Sequence, residues 1–135
     1  MLLSLLLSVF VCGTYSFLFE GVWSNEMGES IEIQYDEDGG LFGTFASIVK
    51  PRMGLYDLKG SVDYVCLLEE NCFVSFSVIW HNEYTLINSA SSWIGMIKDG
   101  ELNAWRTTAT MGGGVEIKKD VFKQQKLINI FESFM

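Results

Sequence analysis

Eight short runs rich in β-branched and aromatic residues, separated by turn residues, constrain the fold of this chain more than any other feature. Runs of this length and spacing are typical of all-β barrels and sandwiches. The predicted strands are Leu18–Asn25, Ser30–Tyr35, Leu41–Ile48, Tyr56–Val65, Phe73–His81, Leu86–Ile97, Glu101–Thr110 and Val121–Phe131. Short turns between consecutive strands predict a meander, and a meander of eight strands can close and remove its exposed edges. We therefore predict an all-β, eight-stranded, antiparallel up-and-down barrel, with a two-sheet sandwich as the alternative.

The amino terminus has a different composition from the rest of the chain. Its first ten residues, MLLSLLLSVF, are apolar and uncharged, and they form too short a run to span a bilayer as a helix. This pattern predicts a secretory signal peptide within residues 1–16, cleaved after Gly13 or Ser16, although a positively charged n-region is missing. A buried strand and an uncleaved anchor are the alternatives. We expect a secreted protein whose barrel domain spans residues 17–135.

The charge distribution argues against two kinds of partner. The 135-residue chain has a net charge of −8, and its longest basic run is Lys118-Lys119, so we expect no nucleic-acid binding. After the amino terminus, no segment approaches the length of a membrane-spanning helix, so we expect no membrane partner.

Two of the three cysteines lie in the predicted mature chain. Cys66 and Cys72 are separated by five residues, and in an oxidising compartment this spacing predicts a disulfide across a short hairpin. A zinc site would need two more ligands, which the single histidine, His81, does not supply. We therefore expect a disulfide and no metal site.

Alternation along the predicted strands combines large aromatic residues with small polar ones on a single face. The sets that share a face are Trp23 with Asn25; Val74, Phe76, Val78 and Trp80; Ser89, Ser91 and Trp93; and Leu127, Asn129 and Phe131. A structural core would be almost wholly apolar, whereas a ligand pocket mixes apolar walls with a few polar groups. The alternation predicts a small-ligand pocket inside the barrel.

Six motifs in order resemble the avidin/streptavidin family. They are GVWSNEMG from Gly21, LFGTFASIV from Leu41, LKG from Leu58, WHNEYTLINSASSWIG from Trp80, NAW from Asn103 and LINIF from Leu127. The resemblance extends from about Gly21 to Phe131. It implies a secreted eight-stranded barrel that binds biotin and forms a homo-oligomer, a tetramer or a dimer. Biotin would be a ligand, and no cofactor is implied.

The resemblance also implies roles for individual residues. Trp80, Trp93 and Trp105 would form an aromatic box around the biotin rings. Asn25 would donate to the ureido oxygen, and Ser47 and Asn129 would accept from the ureido N–H groups. Ser91 would contact the ring sulfur, and Ser89 the carboxylate.

Three positions depart from the family pattern. Glu29 and Phe45 stand where the family has Ser and Tyr at the ureido oxygen, and each mismatch costs roughly 1–3 kcal/mol. Biotin affinity is therefore expected to fall by about two to four powers of ten, with tighter binding at low pH if protonation makes Glu29 a donor. Neither Val121 nor Phe122 is the tryptophan that a neighbouring family subunit lends over the ligand.

Three functions remain open on these grounds. The first is non-catalytic binding of biotin with weakened affinity. The second is carriage of another small apolar ligand, and the third is a secreted structural role with a decayed pocket. An enzyme is not expected, because His81 has no catalytic companions and the acidic pairs cluster in turns.

Overall fold

The structure is a computed structural model that describes residues 20–63, 72–81 and 86–125. Its eight strands are β1 (Gly21–Ser24), β2 (Glu29–Tyr35), β3 (Gly40–Ser47), β4 (Gly54–Val62), β5 (Cys72–His81), β6 (Leu86–Lys98), β7 (Glu101–Thr110) and β8 (Gly114–Gln124). Among the described residues no helix is long and apolar enough to cross a membrane.

The strands form one closed antiparallel barrel in sequence order, with β8 returning to pair with β1. This confirms the predicted eight-stranded up-and-down barrel. In the described residues, the seam between β1 and β8 pairs Trp23 with Gln124 and Ser24 with Lys123, and the Gln125 backbone amide donates to the Val22 carbonyl. The turns at 25–28, 48–53 and 111–113 all lie at one end of the barrel, which we call the mouth.

Seven predicted strands agree with the structure to within a few residues, and the prediction for β8 is wrong. The strand was placed at Val121–Phe131, but β8 begins at Gly114, directly after the turn at 111–113. Its first six residues are exposed, so the segment GVEIKK carries none of the alternation that reveals a half-buried strand. Pairing with β7, from Thr110 opposite Gly114, holds it as a strand. Residues 126–131 of the predicted strand lie outside the described residues, as do Leu18, Phe19, Tyr64 and Val65 of two other predicted strands.

Strict alternation builds the core. In β5 every second residue from Cys72 to Trp80 is buried, and the residues between them are exposed. The barrel interior is filled by large side chains, which are Trp23, Ile31, Ile33, Phe45, Leu58, Val78, Trp80, Trp93, Leu102 and Phe122. Burial of one such side chain stabilises the fold by about 1.5–3 kcal/mol. The interior is therefore packed rather than hollow along much of its length.

Gly60 marks a place where two strands lie unusually close. A Cβ atom added there would overlap the carbonyl oxygen of Ser75 and lie 2.7 Å from the Cβ of Phe76, on the neighbouring strand β5. Because the obstruction includes backbone, a larger residue at this position requires the strands to move apart.

Candidate functional site

The structure brings five of the predicted site residues together inside the barrel. Ser47, Trp80, Ser89, Ser91 and Trp93 are all buried, and for Trp80, Ser89, Ser91 and Trp93 this agrees with the faces predicted from alternation. The indole Nε1 of Trp80 donates to the Ser91 hydroxyl at 2.8 Å, and that hydroxyl lies 2.6 Å from the Thr108 hydroxyl. Ser47 accepts from the Val49 backbone amide at 3.1 Å. These side chains line the interior near the mouth.

Trp105 does not belong to this group, and the prediction that it forms a wall of the aromatic box is wrong. Its side chain is 59% exposed on the outer face of β7, opposite Ile94 of β6. The inward residues of β7 are Leu102, Ala104, Arg106 and Thr108. The motif NAW therefore points to the correct strand but to the wrong face, because a shift of one residue exchanges the faces. The position that faces Trp93 across the strands is Arg106.

Arg106 is the residue that sequence reasoning missed and that changes the site most. Its Nη2 atom lies 3.0 Å from both carboxylate oxygens of Glu29, and its Nε lies 3.6 Å from Oδ2 of Asp120. All three side chains are about 95% buried. An isolated buried charge is strongly disfavoured, so a guanidinium between two carboxylates is the arrangement that can persist in an apolar interior.

The guanidinium of Arg106 also lies among the aromatic walls. It is 4.6 Å from the ring centroid of Trp93, 5.7 Å from that of Phe45 and 5.9 Å from that of Trp80. These distances are within the range of cation–π attraction. The space between the aromatic side chains is thus occupied by a side chain of the protein itself.

Asn25 is fully engaged by the protein. Its Oδ1 accepts from the backbone amides of Met27 and Glu29 at 3.1 and 3.0 Å. Its Nδ2 donates to Glu29 at 2.9 Å and to Asp120 at 3.1 Å. Since an amide nitrogen has two hydrogens, neither is left for a ligand in this arrangement.

Glu29 is buried, as expected from the position it shares with the family's ureido-site serine. Its carboxylate, however, already has hydrogen-bond donors within the protein. It receives Arg106 and Asn25 as donors. The expectation of tighter biotin binding at low pH assumed that Glu29 is free to donate. That assumption is wrong, because donation to a ligand would require the ion pair with Arg106 to break.

Asp120 is a second inward residue that sequence reasoning missed. Its Oδ2 accepts from the indole Nε1 of Trp93 at 2.9 Å, and its Oδ1 accepts from Asn25. The sequence analysis did not place Asp120 in a strand, because the predicted last strand began one residue later, at Val121. Asn129, which was predicted to contact the ligand from this strand, lies outside the described residues, as does Cys66. Phe122 is buried in its own barrel and contacts Phe45 edge-on.

A cavity of about 110 Å³ remains between this ion-pair network and the mouth. Its lining includes Glu29, Ser47, Arg52, Arg106, Thr108 and Glu116. Pockets for drug-sized ligands usually measure about 300–1,000 Å³, so the cavity suits a much smaller molecule.

A closed antiparallel barrel with an aromatic interior and a cavity at one end defines a class of ligand-binding β-barrels. Within that class, the model of the Avidin family matches residues 14–132, which is most of the chain. The chain belongs to the Avidin family.

Proposed function

We propose that this protein is a non-catalytic binding protein that takes a small ligand at the barrel mouth and binds biotin only weakly. Family membership supports binding of a biotin type at this end of the barrel. We expect biotin affinity to be low because Arg106 lies between the aromatic walls, where it pairs with Glu29 and Asp120. Entry of a bicyclic ring would require this guanidinium to leave both carboxylates. The charged interior also argues against carriage of a purely apolar ligand.

Calorimetry with biotin tests the proposal. The wild-type chain is compared with Glu29→Ser and with the combination Glu29→Ser, Phe45→Tyr and Arg106→Trp. We expect the combined variant to bind biotin about 10²–10⁴ times more tightly than wild type, since it removes the Glu29 and Arg106 charges and restores hydroxyl donors, while Asp120 keeps Asn25 and Trp93 as donors. Glu29→Ser alone keeps Arg106 in place and should gain little. The proposal fails if wild type binds biotin as tightly as the combined variant.

The same proposal includes self-association through the outer face of the barrel. Six large apolar residues with exposures of 59–68% project outward from β5 to β8, namely Phe73, Ile79, Ile94, Trp105, Val115 and Ile117. Ile94 and Trp105 are directly paired across β6 and β7. Large exposed apolar side chains that lie together in this way are typical of protein–protein interfaces. Family membership supports a homo-oligomer as the partner.

We further propose that the chain is secreted, loses its signal peptide and forms a disulfide between Cys66 and Cys72. The apolar start of the sequence and the buried position of Cys72 at the start of β5 support this. Mass spectrometry of protein exported from a eukaryotic host checks both points together. We expect a chain that begins at Thr14 or Phe17 and is lighter by two hydrogens than its reduced form. Export of the uncleaved chain, or a mass unchanged by reduction, would count against it.

A further inference from the structure

The cavity at the mouth has a charge opposite to that of the protein as a whole. The chain carries a net charge of −8. Basic side chains nevertheless outnumber acidic ones in the cavity lining, where Lys50, Arg52, Arg106 and Lys118 face only Glu29 and Glu116. Asp120 balances part of this charge beneath Arg106, and an excess of positive charge remains. A concave site of one sign attracts ligands of the other sign.

Arg52 is the half-buried cation of this cavity that has no counter-ion among the described residues, whereas Lys50 and Lys118 are exposed to solvent. It lies in the β3–β4 loop, where its guanidinium is 4.9 Å from the ring centroid of Trp80. Within the described ranges it makes no ion pair, and its Nε hydrogen has no acceptor. The Nε of Arg106 likewise has no hydrogen-bond acceptor among the described residues, but Arg106 has Glu29 and Asp120 within 4 Å as counter-ions. Among the described residues, Arg106 therefore has counter-ions and Arg52 has none.

The electrostatic environment of Arg52 supports the same view. Burial lowers the pKa of its guanidinium, and the positive charge of Arg106 lowers that pKa further. Glu29 and Glu116 act in the opposite direction without cancelling these effects. The charged form of Arg52 would be stabilised by an anion placed beside it.

We infer that the mouth cavity binds a small oxyanion, a carboxylate or phosphate group with few other atoms, and that Arg52 is its principal partner. The guanidinium fork matches two oxygens of such a group, and its stacking over Trp80 holds it in one orientation. The cavity of about 110 Å³ admits a compact anion. This inference rests on the proposed function only in placing a ligand site at the mouth, and it names the chemistry of that ligand.

Titration of the purified chain with sodium phosphate and with sodium acetate, each at constant ionic strength set by chloride, tests the inference. The readout is tryptophan fluorescence, because Trp80 contacts Arg52. We expect saturable binding of at least one anion, and the tighter of the two identifies the oxyanion class. Arg52→Gln should weaken binding at least tenfold, and Arg52→Lys should retain part of it because the charge remains. Circular dichroism checks that each variant is folded.

Lys98→Gln provides the matched control, because Lys98 is exposed beside the β6–β7 turn at the opposite end of the barrel. It removes the same charge and should leave anion binding unchanged. The inference is overturned if neither anion gives a saturable response, or if Arg52→Gln binds as wild type does. Either result leaves the biotin comparison intact, so a failure here is distinguishable from a failure of the proposed function.

Discussion

At the scale of single residues, Arg106 decides the character of the barrel interior. It introduces a charge among Trp80, Trp93 and Phe45, and the fold accommodates that charge only because Glu29 and Asp120 lie within 4 Å of it. A buried network of this kind is strongly interdependent, since removing one partner leaves the others uncompensated. Arg106 and Glu29 are best understood as one unit.

This interdependence predicts a specific pattern of stabilities. Arg106→Met should lower the free energy of unfolding by about 3–5 kcal/mol, because it leaves Glu29 buried without its cation. Arg106→Met combined with Glu29→Met should cost less than Arg106→Met alone, since Asp120 keeps Asn25 and Trp93 as donors. Urea unfolding of the three proteins measures the difference. Additive losses in the double variant would contradict the coupling.

At the scale of strands, the barrel depends on pairing and close approach between neighbouring strands. β5 follows the expected alternation without exception, whereas β8 is a strand because β7 pairs with it along its length. The local sequence pattern of β5 is therefore enough to predict a strand, whereas β8 is a strand because it pairs with β7. The requirement for glycine at position 60 also comes from a neighbouring strand, because the carbonyl of Ser75 on β5 excludes a side chain there.

A pair of glycine substitutions tests this constraint. Gly60→Ala should destabilise the protein by about 1–3 kcal/mol, because the added methyl group overlaps backbone that can only move with β5. Gly113→Ala is the matched control, since its Cβ would meet nothing nearer than 3.4 Å and its φ is not in the left-handed region. It should change stability by less than about 1 kcal/mol. Thermal unfolding compares them, and equal losses would refute the role assigned to Gly60.

At the scale of the whole molecule, apolar surface is distributed unevenly. Among the described residues, large exposed apolar side chains lie on β3 to β8, with Phe42 on β3, Leu55 on β4 and Trp105 on β7, whereas the outer positions of β2 include Glu32 and Gln34. A tryptophan that seemed to belong to the pocket is thus part of the external surface. The paired Ile94 and Trp105 are the part of this surface that we propose contacts a second copy.

Disruption of that surface should change the oligomeric state. Trp105→Lys places a charge in the centre of the apolar face, and we expect the mass in solution to shift towards the monomer. Gln34→Lys adds the same charge on β2 and should leave the mass unchanged. Light scattering after size-exclusion chromatography measures both. A Trp105→Lys variant with the wild-type mass would exclude this face as the interface.

Much of the fold could be predicted from the sequence, and less of the site. Alternation identified the inward faces of β5 and β6 and placed Trp80, Ser91 and Trp93 together. The family resemblance failed for Trp105, which it implied to be a wall of the pocket and which lies on the outer face. Alternation failed for β8, whose exposed residues carry no periodic signal.

The sequence by itself determined the number of strands, their order and the closed barrel, because alternation and turn residues act over a few neighbouring positions. Only the tertiary structure decided which charges meet inside it. Arg106 and Glu29 are 77 residues apart, and Asn25 and Asp120 are 95 apart. Such pairs form only when closure of the barrel brings β1, β2, β7 and β8 around one interior. Local sequence patterns cannot indicate which residues so far apart in the chain will meet, so only the structure shows which side chains fill the pocket.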